Sequence, residues 1–448
     1  AVDRYPRQAA RRSLNQNSPL AKSLRVDLPV VQGPMTRVSD TPTYVKAVSE
    51  DGALPMLALA LMKGEGLKRT LAETEALLAD KPWGIGLLGF APQALLDEQI
   101  AAARIHKPDF AIIAGGRPDQ SAQLDSLGIP SFLHVPSVDL LGLFISNGAR
   151  RFILEGRECG GHIGPLSSFV LWSAMVDRLL AELEEQGVAG SEIQLLLAGG
   201  IHDALSSAIA QTIVAPLSEK GVQVGVLMGS AYLFTKEIVA TGAVVPSFQQ
   251  TAENCTRTVN LESGPGHASR CAYTDFAGEF FRQRKQHIAS SASSAPDIRK
   301  VLDDLILGRL RIASKGQVRS AESGELQGLA ARQQQAEGMY MLGQVATIRD
   351  QTTTIADLHR EVVALDATEV DAHRPLPGVL LRVVGRHAVA TGRREPGDVP
   401  GRWLDLDHVR AEVAEHAGAV RTGQHPCEVG DHQALERCVH AAIVADHR

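Results

Sequence analysis

One histidine stands out by the company it keeps. Residues 155–165 read Glu155-Gly156-Arg157-Glu158-Cys159-Gly160-Gly161-His162-Ile163-Gly164-Pro165, directly after the apolar run Arg151-Phe152-Ile153-Leu154. An imidazole titrates near neutral pH and can take or give a proton. Glycines crowded at the end of a buried strand let the backbone pass close to a flat ligand. The pattern points to acid–base chemistry at His162 beside a flat ligand that the glycine backbone approaches. Two other chemistries stay open to the same residues. Glu158, Cys159 and His162 could ligate a metal, although no second His/Asp cluster completes the shell. Cys159 could be a nucleophile with His162 as its base, although neighbours three apart in a Gly-rich loop rarely hold that geometry.

Two further turns carry anion-binding chemistry. Ala198-Gly199-Gly200-Ile201 and Met228-Gly229-Ser230 each end an apolar run. Glycine amides, the Ser230 hydroxyl and a following helix N-terminus make a cradle for a phosphate. No Gly-Lys-Ser/Thr accompanies them, so a cofactor phosphate fits better than ATP. The run Val30-Val31-Gln32-Gly33-Pro34-Met35 could lay backbone against a planar ring with the Met side chain beside it, though a Gly-Pro turn alone is ordinary punctuation. His267, in Ser263-Gly264-Pro265-Gly266-His267, reads as a surface-loop residue that could reach a site mouth.

These turns need a scaffold that brings them to one face. From residue 28 to about 240 a short apolar strand, a turn and an amphipathic helix recur. The strands read as Leu28–Val31, Ala53–Leu59, Trp83–Leu88, Phe110–Ala114, Ser131–Val135, Phe152–Glu155, Gln194–Ala198 and Gln223–Met228. Helices are expected at Gly66–Ala79, Pro92–Ile105, Val138–Asn147, Ser167–Gln186 and Asp203–Ile213. Alternation with buried strands predicts a parallel sheet, and eight units predict an α/β fold of the (β/α)8 TIM-barrel type with its site at the strands' C-terminal ends. No Gly-x-Gly-x-x-Gly follows the first strand, which argues against a dinucleotide-binding sheet.

The expected organisation is an N-terminal segment (1–27), the barrel (28–245), a mostly helical C-terminal extension (246–360) and an atypical tail (361–448). Helical spacing in the extension falls at Ile298–Leu310 and Leu326–Leu342, with a short linker at Ser290–Ser294. The tail lacks Lys, Ser, Asn, Phe, Tyr and Met altogether, yet holds eight of the chain's fifteen His. That composition reads as out-of-frame translation of GC-rich DNA or as a disordered linker.

At 448 residues and 44% hydrophobic content the chain can bury a large core. A net charge of −6 gives no footprint for nucleic acid, and the basic cluster between Arg4 and Arg12 reads as a solvated tail. No apolar run reaches the roughly 18 residues that span a bilayer. No signal leader is visible, and five widely spaced cysteines (Cys159, Cys255, Cys271, Cys427, Cys438) without a CxxC pair fit a reducing cytoplasm.

Taken together, Val30–Met35, Glu158–His162, Ala198–Gly200 and Met228–Ser230 resemble the 2-nitropropane dioxygenase / nitronate monooxygenase superfamily. The stretches Ser230–Glu237, Ser263–His267 and Gly338–Asp350 are similar to one branch of it, the enoyl-reductase component of polyunsaturated fatty acid and polyketide synthases. The resemblance implies an FMN-dependent oxidoreductase. Gln32, Gly33, Pro34 and Met35 would contact the isoalloxazine, with Gly86, Glu158, Gly160 and Gly161 around it. Ala198, Gly199, Gly200, Met228, Gly229 and Ser230 would hold the phosphate, and His162 would be the catalytic acid/base. It further implies NAD(P)H as reductant, an enoyl thioester as substrate, and an acyl carrier protein or other synthase domains as partners. Oxidation of alkyl nitronates by O2 and a non-catalytic scaffold role are the alternatives. The chain departs from nitronate monooxygenases at Gly86, where they carry Asn after the third strand, and at Cys159, where they carry Ala.

Overall fold

The computed structural model describes residues 13–264, 266–289, 295–320 and 322–364, and three strands between 380 and 405. The apolar runs form the parallel strands β1 (Val30–Gln32), β2 (Met56–Ala58), β3 (Gly84–Leu88), β4 (Phe110–Ala114), β5 (Ser131–His134) and β6 (Arg151–Glu155). A short strand, β7 (Gly161–Ile163), interrupts the series before β8 (Gln194–Ala198) and β9 (Gln223–Met228).

Leaving β7 aside, the eight strands pair in the order β1-β9-β8-β6-β5-β4-β3-β2. The two ends meet through a parallel bridge between Val31 and Leu54, where Gln32 N donates to Leu54 O and Leu54 N to Val30 O, each at 2.9 Å. The sheet is thereby closed into a (β/α)8 barrel, as its sequence pattern predicts. Strand period explains the two cores. Ile112, Phe132, Ile153 and Leu196 point inward and fill the barrel. Their neighbours Ala111, Ile113, Leu133, Phe152, Leu154, Leu195 and Leu197 point outward beneath the helices. The N-terminal segment is more than a lead-in: helix Pro19–Leu24, capped by Ser18, sends Leu20 and Leu24 into the inner cluster.

The extension carries helices, as expected, but also two hairpins that helical spacing concealed. Strands β10 (Thr258–Gly264) and β11 (His267–Ala272) pair antiparallel, so the segment read as a Pro/Gly loop is a hairpin turn with His267 on a strand. Strands β12 (Gln317–Arg319) and β13 (Leu326–Gly328) form the second. The single helix expected over Ile298–Leu310 is two, Ala295–Ile306 and Arg309–Lys315, because Gly308 breaks it at φ 82°. Leu326–Leu342 likewise divides into β13 and the helix Ala331–Glu337, which stops at Gly338. Helix Ile355–Val363 continues past residue 360, with Val362 buried and Glu361 Oε2 3.1 Å from Arg349 Nη1.

From Thr368 onward the chain is a separate unit in which Leu380–Val384, His387–Thr391 and Trp403–Asp405 form a three-stranded antiparallel sheet. The remainder of the tail, the Ser290–Ser294 linker and the basic cluster between Arg4 and Arg12 lie outside the described residues.

Candidate active site at the barrel mouth

His162 is not on a free loop. It sits at the centre of β7, which pairs antiparallel with β11 in the register His162 to Ser269 and Gly161 to Arg270. That pairing corrects the loop reading: the extension adds a strand that fixes where the histidine lies. Beneath it Arg270, only 5% exposed, donates from Nε to Arg157 O at 2.9 Å and from Nη1 to Thr258 Oγ1 at 2.9 Å. The Gly-rich segment is therefore pinned at both ends.

Glycine is required where this segment meets the rest of the mouth. A Cβ on Gly160 would come within 2.6 Å of Leu342 Cα, and Gly161 has φ 81°. The strap Leu342–Gln344 lies across both halves of the site. Gln344 N donates to Glu158 O at 2.9 Å, and Gly343 N donates to Ser230 Oγ at 2.7 Å. One short segment of the extension thus ties the His162 strand to the end of β9.

Glu158 does structural work. Its Oε2 accepts from Ser168 N at 2.8 Å and from Ser168 Oγ at 2.7 Å, at the first turn of helix Ser168–Glu185. One carboxylate oxygen faces the helix, which dismantles the Glu158/Cys159/His162 metal set. Among the described residues no group of three His, Cys, Asp or Glu side chains is placed to hold a metal. The Cys159 thiol is pushed well above its ordinary pKa by burial, then by the charges of Glu155 and Glu158, so it is held protonated and makes a poor nucleophile.

The phosphate cradle fits its proposed ligand. Gly199 (φ 118°) and Gly200 (φ 77°) turn their backbones at the end of β8, and a Cβ at Gly200 would meet nothing within 4 Å. Among the described residues the amides of Gly199, Gly200 and Gly229 donate to no protein acceptor. Free N–H groups at the C-terminal ends of neighbouring strands are what a phosphate satisfies. Ser230 Oγ accepts from Gly343 and keeps its own proton to donate. Ala198 and Met228 are buried at 0% and 2% exposure, and shape the turns from below.

On the opposite wall the first-strand turn is anchored from within. Gln32 is fully buried; its Nε2 donates to Gly33 O and its Oε1 accepts from Met56 N at 3.1 Å. Its side chain braces β1 on β2, so backbone and not side chain is what it offers a ligand. Gly33 N donates to Met228 O at 2.8 Å, and Met35 lies over Gly229, with Sδ 3.5 Å from where a Cβ would stand. The Gly86 departure has a steric reason. Any Cβ there would overlap the Pro34 ring, so Gly86 supports Pro34 and has no side chain to extend toward a ligand.

Two site residues escaped the sequence reading. His134 and Glu155 end β5 and β6, and His134 Nδ1 lies 2.8 Å from Glu155 Oε2. His134 Nε2 is buried without a hydrogen-bond partner. The signal for both was position: each is the last residue of a barrel strand, where such sites are built. Glu155 also acts on His162. The His162 pKa lies below the ordinary histidine value because crowding desolvates the ring; Glu155 and Asp303 oppose that shift, and His267 reinforces it. The ring is nevertheless exposed at the mouth, and Phe90 stands across from it at 6.5 Å between centroids. His267 is exposed on β11.

Comparisons with known proteins bear on the fold and the family. A curated (3aS,4S,5R,7aS)-5-hydroxy-7a-methyl-1-oxo-octahydro-1H-indene-4-carboxyl-CoA dehydrogenase from Mycobacterium tuberculosis is 26% identical over 257 residues, covering 56% of this chain and 65% of its own length. The match thus spans less than two thirds of that relative. FabK from Thermotoga maritima superposes with a TM-score of 0.61 at 23% identity, over 78% of this chain and 96% of its own. The enoyl reductase domain of MlnA from Bacillus amyloliquefaciens superposes with a TM-score of 0.57 at 12% identity, over 79% and 97%. At these identities the superpositions speak for the fold. The nitronate monooxygenase family model matches residues 17–364, barrel and extension together, and the chain belongs to the nitronate monooxygenase family.

Proposed function

We propose that this protein is an FMN-dependent oxidoreductase that reduces enoyl thioesters carried on an acyl carrier protein, with NAD(P)H as the electron source. The observation that carries the reading is the set of unpaired glycine amides at the ends of β8 and β9, strapped through Gly343 and Gln344 to the strand bearing His162. When bound, FMN would supply two-electron transfer between the nicotinamide and the substrate. The net change adds a hydride at the β-carbon and a proton at the α-carbon of the enoyl thioester, while NAD(P)H is oxidised.

The chain's own residues would position and polarise. Gly199, Gly200, Gly229 and Ser230 would hold the phosphate, and Gly33–Met35 would offer backbone and the Met35 side chain to the ring. His162, with its pKa below the ordinary value, is neutral at pH 7. A neutral imidazole N–H can donate a hydrogen bond to the thioester oxygen as negative charge develops there, or serve the α-carbon proton. His134 Nδ1 and Glu155 Oε2 pair at 2.8 Å, and the Glu155 charge acts on His162. A relative named for a CoA thioester supports this substrate class.

The family's name supports a second reading, nitronate oxidation by O2 without a nicotinamide. An anaerobic absorbance spectrum of the purified protein separates the two. A flavin band that bleaches on adding NADPH or NADH supports enoyl reduction. A band that persists favours nitronate oxidation, and absence of any flavin leaves the barrel as a scaffold.

A further inference from the structure

A second cluster, rich in positive charge, lies at the turn after β1. Arg37, Arg311, Lys315 and Arg319 surround a cavity of about 490 Å³, with Asp40 as its carboxylate and Leu326 at its lip. Arg37 lies in the turn after β1, two residues beyond Met35; Arg311 and Lys315 come from helix Arg309–Lys315, and Arg319 from β12. Lys315 is already committed, with Nζ 2.7 Å from Asp40 Oδ1 and 2.8 Å from Ala243 O. That pairing shares the Asp40 carboxylate between the lysine and the arginines.

Arg37 and Arg311 are half-buried, and among the described residues their guanidinium groups make no hydrogen bond or ion pair. Two unpaired guanidinium groups facing one cavity repel each other, and Asp40, already paired with Lys315, offsets that only in part. The consequence shows at Arg311, whose pKa is lowered by burial first and then by Arg37 and Arg319, with Asp40 opposing. Arg37 is also held at φ 62°, an unfavourable backbone for a residue with a Cβ. The turn is locked by Ser39, whose Oγ accepts from Met35 N at 2.8 Å. The same short turn therefore sets Met35 over Gly229 and aims Arg37 at the cavity.

We propose that Arg37, Arg311 and Arg319 bind the phosphate of a phosphopantetheine arm on the acyl donor. This rests on the enoyl-thioester reading. The location favours a tethered donor. The cleft lies at an exposed rim made partly by the β12–β13 hairpin, with Leu326 46% exposed. A carrier protein cannot enter a barrel mouth, so its phosphodiester must stop at the rim while the thioester end of the arm reaches inward past Met35. Guanidinium groups match phosphate oxygens in charge and bidentate geometry.

The test is calorimetric binding of 4′-phosphopantetheine and of pantetheine to the full-length protein, needing no turnover. The phosphorylated ligand should bind at least tenfold more tightly in the unaltered protein, and the advantage should shrink as salt screens the charges. Arg37→Ala with Arg311→Ala should abolish the advantage, and Arg37→Lys with Arg311→Lys should restore part of it. Equal affinities in the unaltered protein, or an advantage that survives the double alanine change, overturns the proposal. So does a double variant that instead loses a preference for NADPH over NADH, since the phosphate recognised would then be the nucleotide's. Failure of enoyl reduction with the phosphate advantage intact would strike the reaction and leave the cleft standing.

Discussion

Gly160 and Gly343 lie back to back where the extension presses on the barrel mouth. A Cβ on Gly160 would come within 2.7 Å of Gly343 N, and one on Gly343 would overlap the carbonyl of Glu158. The contact holds the His162 strand and the Ser230 turn to one strap.

Gly160→Ala should therefore cost about 1–3 kcal/mol, the usual penalty of forcing extra volume into close-packed backbone. Thermal melts and the flavin content of the purified variant measure it. An unchanged melting temperature with full flavin content would show that the strap does not bear on the site.

His162→Ala should keep flavin binding, because the phosphate cradle does not use the ring, and should lower turnover by roughly 10²–10⁴-fold. Steady-state rates at saturating nicotinamide check this; an unaltered rate removes His162 from the chemistry.

Glu155→Gln should move the apparent pKa of His162 further down. The Glu155 carboxylate favours the charged ring against the desolvation that lowers its pKa, so removing that charge lets desolvation act unopposed at that point. The pH–rate profile should shift its acidic limb to lower pH, whereas an upward shift would mean Glu155 faces elsewhere.

Acid should weaken the junction of the last described helix with the barrel. His359 is 1% exposed; Tyr232 Oη lies 2.7 Å from its Nε2 and Asp51 O 2.8 Å from its Nδ1. The carbonyl requires Nδ1 to carry the proton, so Nε2 accepts from the tyrosine. Burial lowers its pKa to about 4, against the opposing pull of the Asp51 carbonyl. Unfolded histidine titrates near 6.5, so between about pH 6.5 and 4 the unfolded chain binds the extra proton and stability falls as pH falls, by about 3 kcal/mol over the window. Denaturant titrations at pH 7.5 and pH 4.5 should show a smaller loss for His359→Gln than for the unaltered protein. Equal losses would assign the acid sensitivity to other groups.

Gly86→Asn, the residue that the resemblance implies after the third strand, should fail to create a nitronate-type contact and should instead displace Pro34. The expected readout is a lowered melting temperature with weakened flavin binding. A variant as stable as the parent would show that the Pro34 turn can yield.

Much of the barrel was legible in the chain because buried parallel strands are continuous apolar runs. Phe110–Ala114, Gln194–Ala198 and Gln223–Met228 end where their composition changes. The glycine turns were legible too, since glycine at a strand end has few other uses. The hairpin β10–β11 was not: Thr258–Ala272 mixes polar and small residues, and the strand pairing that defines it involves partners over a hundred residues away at β7.

What the sequence determined by itself was therefore the local chemistry: one imidazole among glycines, two phosphate-sized turns and eight strand–helix units. Only the tertiary structure decided which groups are free to act. Glu158 is consumed by Ser168, Gln32 by Met56 and Lys315 by Asp40, while Glu155 and His134 converge beside His162 and Arg37 meets Arg311. The physical reason is that hydrogen bonds and ion pairs are settled between neighbours in space. A side chain's type is written in the chain, but its partner is chosen by packing between segments far apart in it.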